Sequence, residues 1–434
     1  MIVESIRPPS SAKEGLAMAA QNKSSRIDEW LLQKIHRAAG HPAVRLELRN
    51  SAEVSPRDAL AVANIVIQDR NSLLRLLLDP EAEFGDAYSE GRITLEGDLV
   101  SALELLYRSM SEAQHHSWYV KLVSKCMEYV QRNSLRGSRR NIQRHYDLNT
   151  DFYRLWLDPQ LVYTCAYYSS PSATLEQAQV AKLDYVCRKV QLQPGERVVE
   201  AGCGWGALAL HMAKNYGVTV RAFNISREQI LFARRRAKEL GLDHQVEFIE
   251  DDYRNISGAC DAFVSVGMLE HVGREHYRDL GSIIHQSLTK TGRGLLHFIG
   301  RNYPRPFSTW TRKRIFPGAY APALGEVMQI FEPWDLSILD VENLRRHYAK
   351  TLEHWLARFD KSEQQISEMF SPEFVRTWRL YLAGAVAGFR VGTLQLFQIV
   401  FARNACQLVP WTRAHLYTKA QHEEQETKWM YATS

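Results

Sequence analysis

From Val198 onward, short apolar runs alternate with segments whose apolar positions recur every three or four residues. Val198-Val199, Val218 to Phe223, Val246 to Ile249, Ala262 to Val266 and Gly294 to Ile299 have the β-branched and aromatic content of buried strands. Between them Ala207 to Ala213, Glu228 to Leu240 and Tyr277 to Leu288 carry helical spacing, and Leu175 to Leu192 places another helix ahead of the first strand. This alternation predicts an α/β fold built on a parallel, doubly wound sheet. Leu336 to Val341 and Leu394 to Ala402 supply two further strands.

The chain before residue 150 follows another pattern. Helical spacing over Ile27 to Ala39 gives way to Val44-Arg45-Leu46-Glu47-Leu48, whose alternation predicts a half-buried strand. Asn71 to Asp79 reads as a helix, Phe84 to Tyr88 as a turn, Gly91 to Leu99 as a strand and Leu99 to Met110 as a helix. Together they predict a smaller N-terminal α+β domain without paired acid and base, metal spacing or phosphate loop, hence a binding or assembly module. Residues 1–27 read as a mobile tail, 28–128 as this domain, 129–144 as a linker, 145–412 as the large α/β domain and 413–434 as a C-terminal tail. The linker is basic, with Arg132, Arg136, Arg139, Arg140 and Arg144. It is either a solvated connector or a contact for anionic lipid head groups, where each cation adds roughly 1 kcal/mol.

Composition narrows the class without choosing a partner. At 434 residues, 45% hydrophobic and 24% charged, the chain has room for two or three ordinary globular domains. A net charge of +5 is compatible with an anionic membrane or with nucleic acid and decides neither. The six cysteines are scattered, which argues against a disulfide scaffold or structural zinc and for a reducing cytoplasm. The apolar run Leu73 to Leu78 is broken by Arg75 and is too short to span a bilayer, so membrane contact is expected to be peripheral.

Candidate chemistry concentrates at the ends of the strands, where open α/β sheets bind ligands. After Val198-Val199 come Glu200, Ala201 and the turn Gly202-Cys203-Gly204-Trp205-Gly206, running straight into a helix. Glycines at this spacing let the backbone approach a ligand, and the helix start offers free N–H groups. A glycine turn that merely joins strand to helix would look the same. With its preceding acid, however, the stretch resembles motif I of the S-adenosylmethionine-dependent methyltransferases, whose last sheet strand is antiparallel.

Five more motifs extend that likeness: Tyr163-Thr164-Cys165-Ala166, Asn224-Ile225-Ser226-Arg227-Glu228-Gln229, Asp251-Asp252-Tyr253-Arg254, Ser265-Val266-Gly267-Met268-Leu269-Glu270-His271-Val272-Gly273, and Leu295-Leu296-His297-Phe298-Ile299-Gly300. In this order, from about Asn141 to Arg403, they resemble the cyclopropane-fatty-acid synthase family of methyltransferases. The resemblance implies a Rossmann-like methyltransferase domain with a smaller lipid-binding domain, which in the family can mediate a homodimer.

It also implies residue roles. Gly202, Cys203, Gly204 and Gly206 would pass beneath the methionyl group, with Glu200 accepting hydrogen bonds from that end. Asn224, Ile225 and Gln229 would meet the ribose, Asp252 and Tyr253 the adenine, and Tyr163 and Thr164 would close over the cofactor. Cys165, Glu270, His297, Ile299 and Tyr348 match the residues thought to hold a bicarbonate. That anion would act as the base that deprotonates a carbocation formed when a cis alkene captures the methyl. Taken singly, His297 would read as a core histidine, Cys165 as an inert buried thiol and Glu270 as a carboxylate at a helix start.

Two departures stand out. Ala385 in Tyr381-Leu382-Ala383-Gly384-Ala385 occupies a position that is often cysteine in the family, so no nucleophile is expected there. Tyr146-Asp147-Leu148-Asn149-Thr150 replaces the family's Tyr-Asp-Leu-Gly-Asn, a change that Asn149 should tolerate. Phe307 to Gly318 interleaves aromatics with Arg312, Lys313 and Arg314, either as an ordinary surface loop or as a lip touching phospholipid head groups.

The expected activity is methylenation of cis-unsaturated phospholipid acyl chains with S-adenosylmethionine and bicarbonate, at the cytoplasmic face of the membrane. No metal and no nucleic acid are expected to take part. The alternatives are a fatty acid C-methyltransferase giving methyl-branched or furan-type chains, and a non-catalytic lipid-binding protein.

Overall fold

The structure, a computed structural model, describes residues 26–56, 60–114 and 149–417. The basic linker with its five arginines, the cluster His145-Tyr146-Asp147 and most of both predicted tails lie outside the described residues. The chain divides into two compact units, one comprising Met1–Glu128, Ser308–Ile315 and Trp355–Thr393, the other Tyr129–Phe307, Phe316–His354 and Leu394–Ser434. It therefore contributes to the first unit in three passes, where the sequence reading assigned that region one contiguous block, 28–128.

In the first unit, strands β1 (Val44–Leu48), β2 (Ala52–Val54), β3 (Ala63–Ile67) and β4 (Ile93–Glu96) form a sheet in the order β2-β1-β3-β4. Alternation in β1 works as expected, with Val44, Leu46 and Leu48 buried among Leu31, Leu32, Ile65 and Leu73. The turn expected at Phe84 to Tyr88 is instead part of the helix Pro80–Ser89. Asp79 caps that helix by accepting from the Ala82 N–H, and Pro80 pre-sets its first turn. Gly85 is retained inside it because a Cβ there would lie 2.3 Å from the Trp310 ring. Trp310 is thus buried rather than presented to head groups, whereas Arg314 stays exposed and pairs with Asp86 at 2.9 Å. The helix Pro372–Val391, not anticipated from sequence, packs on the helices Leu99–Gln114 and Pro80–Ser89.

The second unit is the expected Rossmann-like α/β domain. Strands β5 (Arg197–Ala201), β6 (Thr219–Asn224), β7 (Val246–Glu250), β8 (Cys260–Val266), β9 (Leu288–Gly300), β10 (Leu336–Asn343) and β11 (Gln395–Arg403) form a sheet in the order β10-β11-β9-β8-β5-β6-β7. β5 to β9 run parallel, while β11 pairs antiparallel with β9 and β10 antiparallel with β11. Strand order reverses at β5, with β6 on one side and β8 on the other, so the crevice for a ligand opens beyond the carboxyl ends of β5 and β8. Apolar residues on both faces of β5, β6 and β8 are buried, including Val198, Val220, Ala222, Val264 and Phe263, as continuous apolar strands require.

Candidate active site

The loop after β5 is pinned before it reaches the helix Ala207–Tyr216. The N–H groups of Gly202 and Cys203 donate to the carbonyl of Phe223 at 2.9 and 3.1 Å, and Ser265 Oγ donates to the carbonyl of Ala201 at 3.0 Å. A cavity forms around this loop within the second unit. Tyr163, Thr164, Glu200, Gly202, Cys203, Gly204, Asn224, Ile225, Gln229, Asp252 and Tyr253 all line it, drawn from four separate stretches of sequence.

Gly206 is the exception among the expected cofactor residues. It is the N-cap of the helix Ala207–Tyr216 at φ 85°, and a Cβ there would lie 2.6 Å from the Phe248 ring and 2.9 Å from Ala233. The absence of a side chain there lets Phe248 and Ala233 pack directly against the start of the helix.

Each polar corner of the cavity has its own chemistry. Glu200 is 2% exposed, and burial pushes its carboxyl up to about 8 against the opposing charge of Lys182. Its Oε2 has no hydrogen-bond partner among the described residues, an acceptor left open where an ammonium or hydroxyl could meet it. Asn224 Nδ2 donates to Gln229 Oε1 at 2.7 Å and to the Gly204 carbonyl at 3.3 Å, joining the two amides in one corner. Asp252 is held by Arg254 through Nε at 2.8 Å and Nη2 at 2.9 Å, so its carboxylate is already committed to a cation. Burial raises the Tyr253 phenol, which stays neutral and presents a π surface.

Sequence reasoning missed two lining residues. Lys182, in the helix Leu175–Lys189, is buried with its ammonium donating to Thr164 Oγ1 at 2.9 Å, and burial lowers it to about 8. A lysine in an otherwise unremarked amphipathic helix gave no signal. His271 follows Glu270 directly, and burial pushes it down to about 4, so it is neutral.

The five residues expected to hold an anion lie outside that lining. Three form a connected cluster at the ends of β8 and β9. Glu270 Oε1 accepts from the Ile299 N–H at 2.6 Å, and His297 stands two residues before Ile299 on β9, its carbonyl accepting from Gly267 N–H at 2.8 Å. The Ile299 N–H is therefore spent on Glu270, not left open for an anion. Burial pushes Glu270 up to about 7, and its Oε2 has no hydrogen-bond partner among the described residues.

His297 is held well below its ordinary value by burial and then by the charges of Lys182 and Lys189. Gln398 on β11, opposite His297 in the antiparallel register, places its amide nitrogen 2.9 Å from His297 Nδ1. With Nδ1 accepting that bond, the proton of the neutral ring sits on Nε2, which also has no partner among the described residues.

Cys165 is tied to the helix that carries Tyr348. The N–H of Ala166 donates to Thr351 Oγ1 at 3.0 Å, setting Cys165 against the helix Arg345–Lys361, which also carries buried Tyr348. Burial raises the Cys165 thiol, which donates to the Ala166 carbonyl at 3.2 Å and stays protonated. The charge of Lys182 acts on both Cys165 and His297, so the two halves share one electrostatic neighbourhood beside the cavity. Among the described residues no group of histidine, cysteine, aspartate and glutamate is arranged to hold a metal ion.

Comparison with known proteins gives this geometry a context. Residues 133–399 match the family model of mycolic acid cyclopropane synthetase. A probable fatty acid methyltransferase of Pseudomonas putida is 32% identical over 397 residues, covering 87% of this chain and 97% of that protein. The cyclopropane-fatty-acyl-phospholipid synthase of Escherichia coli K12 is 39% identical over 261 residues, 60% of this chain and 67% of its own. Among solved structures, the mycolic acid cyclopropane synthase CmaA1 complexed with SAH and CTAB superposes with a TM-score of 0.59 at 31% identity, over 61% of this chain and 98% of that one.

Proposed function

The chain belongs to the mycolic acid cyclopropane synthetase family of S-adenosylmethionine-dependent methyltransferases, and from that premise we propose that it methylenates cis double bonds in phospholipid acyl chains to give cyclopropane rings. The observation that carries the reading is the buried pair Glu270 and His297, whose Oε2 and Nε2 are both open while the nearby thiol is kept neutral. Such a pair offers an anion one N–H donor from His297 and, when Glu270 is protonated, a second donor from its carboxyl.

The residues fit the cofactor, since Glu200, whose Oε2 is unpartnered among the described residues, lines the same cavity as Gly202 and Gly204 and offers a cationic amino group an acceptor. S-adenosylmethionine, when bound, supplies an electrophilic sulfonium methyl group. Glu200 would orient its amino-acid end, Asn224 and Gln229 the ribose hydroxyls, and the Tyr253 ring the adenine. Leu161, Val162 and Leu183 make part of the wall apolar and exclude water, which an alkene, a weak nucleophile, requires.

Bicarbonate, held by Cys165, Glu270, His297 and Tyr348, would supply a base. The Ile299 N–H fixes the Glu270 carboxyl, Gln398 fixes the His297 tautomer, and the protonated Cys165 thiol adds no negative charge beside the anion. Contact with the membrane is peripheral in this reading, since no helix among the described residues is long and apolar enough to cross one.

The test is mass spectrometry of fatty acids after incubating purified protein with S-adenosylmethionine, bicarbonate and vesicles of cis-unsaturated phospholipid. A gain of one methylene that survives catalytic hydrogenation is the expected result. The same gain in a product that takes up hydrogen would indicate an unsaturated methyl-branched chain. A saturated methyl branch would be recognised by its fragmentation. The relative from Pseudomonas putida, a probable fatty acid methyltransferase matched over 97% of its length, makes that branch the second reading.

A further inference from the structure

We propose that Lys182 is the binding partner for the carboxylate at the amino-acid end of S-adenosylmethionine, so that Glu200 and Lys182 together clamp a zwitterion. The inference rests on the cofactor occupying the cavity described above. A capping box of Thr174 and Gln177 starts the helix Leu175–Lys189, and Lys182, two turns in, projects into the interior as one of the largest fully buried side chains of the chain. An ammonium taken out of water needs partners for its three N–H donors. Here one goes to Thr164 Oγ1 at 2.9 Å, a neutral hydroxyl.

Neither of the carboxylates whose charge it feels is hydrogen-bonded to it. Asp158 accepts from the backbone N–H groups of Gln160 and Val162, each at 2.9 Å, and Glu200 keeps Oε2 unpartnered among the described residues. Lys182 and Glu200 line the same cavity, a cation with spare donors and a carboxyl with a spare acceptor. An α-amino acid carries the complementary pair, an ammonium for Glu200 and a carboxylate for Lys182.

Calorimetric titration with two ligands tests this: S-adenosylhomocysteine, and the analogue in which hydrogen replaces its carboxylate. Wild-type protein should bind the analogue roughly 10- to 100-fold more weakly, the worth of a charge-assisted hydrogen bond in a dry site. Lys182→Met should lose about that factor for S-adenosylhomocysteine and little for the analogue, while Lys182→Arg should keep the preference for the carboxylated ligand.

Equal affinity of the wild-type protein for both ligands would overturn the proposal whether or not the methionine variant folds. Equal losses for both ligands in a Lys182→Met variant that keeps the wild-type melting temperature would do the same. A wild-type protein that binds neither ligand would instead remove the premise that this cavity holds the cofactor.

Discussion

Burial sets the chemistry of Glu270. Its carboxyl is pushed up from 4.5 to about 7 because the charged form is cut off from water and the single Ile299 N–H only partly compensates. A folded-state value above the unfolded one means that its contribution is fully present below about pH 4.5 and is lost as pH rises through about 7. Glu270→Gln, which keeps the acceptor for Ile299 and cannot ionise, should gain stability over wild type across that window, by up to about 3 kcal/mol at pH 8. Urea midpoints measured from pH 4 to 8 would show it; a constant difference across the range would refute it. Gln398 acts on His297 in a comparable way. Gln398→Leu should cost about 1–3 kcal/mol, the usual penalty for stranding a buried nitrogen, and nitrogen NMR should show His297 losing its preference for the Nε2–H tautomer. Glu270 and His297 were legible because they sit in recognisable motifs at strand ends. Gln398 and Lys182 were not, since a polar residue in an apolar strand or helix declares its partner only after the chain has folded.

Among the elements, the joint between β5 and the helix Ala207–Tyr216 bears most directly on the site. Gly206 combines φ 85° with ring atoms of Phe248 where a Cβ would stand. Gly206→Ala should therefore cost on the order of 3 kcal/mol, from left-handed backbone strain together with overpacking. It should weaken S-adenosylhomocysteine binding only through movement of the loop, which melting temperature and calorimetric affinity measured together would separate. The parallel strands around this joint were readable because strands buried on both faces are apolar throughout, and the helices between them keep a clear period. Ala63–Ile67, a five-residue run interrupted by Asn64, gave no clear period as a strand, and Gly85 led to a turn where Asp79 and Pro80 start a helix. Local glycine chemistry was outweighed there by the space that the Trp310 ring requires.

For the whole molecule, local periodicity says least. Apolar positions such as Val375, Trp378, Leu382, Val386 and Phe389 mark an amphipathic helix, but nothing in their spacing assigns Pro372–Val391 to the unit of residues 1–128 rather than to the sheet that flanks it in sequence. Charge is the global property with a direct functional consequence. If the arginines at positions 132, 136, 139, 140 and 144 serve as a contact for anionic head groups, the chain is drawn to an anionic bilayer surface by charge; no helix among the described residues is long and apolar enough to cross a membrane. Sedimentation with phosphatidylglycerol vesicles should show binding that weakens steeply as salt rises from 0.05 to 0.5 M, because exposed charges are screened. Exchanging the five arginines for glutamine should lower the partition by roughly 100-fold or more, at about 1 kcal/mol per cation, and should leave binding to uncharged phosphatidylcholine vesicles unchanged. An equal loss on both kinds of vesicle would mean that the arginines support the fold and that the contact with lipid is made by apolar side chains instead.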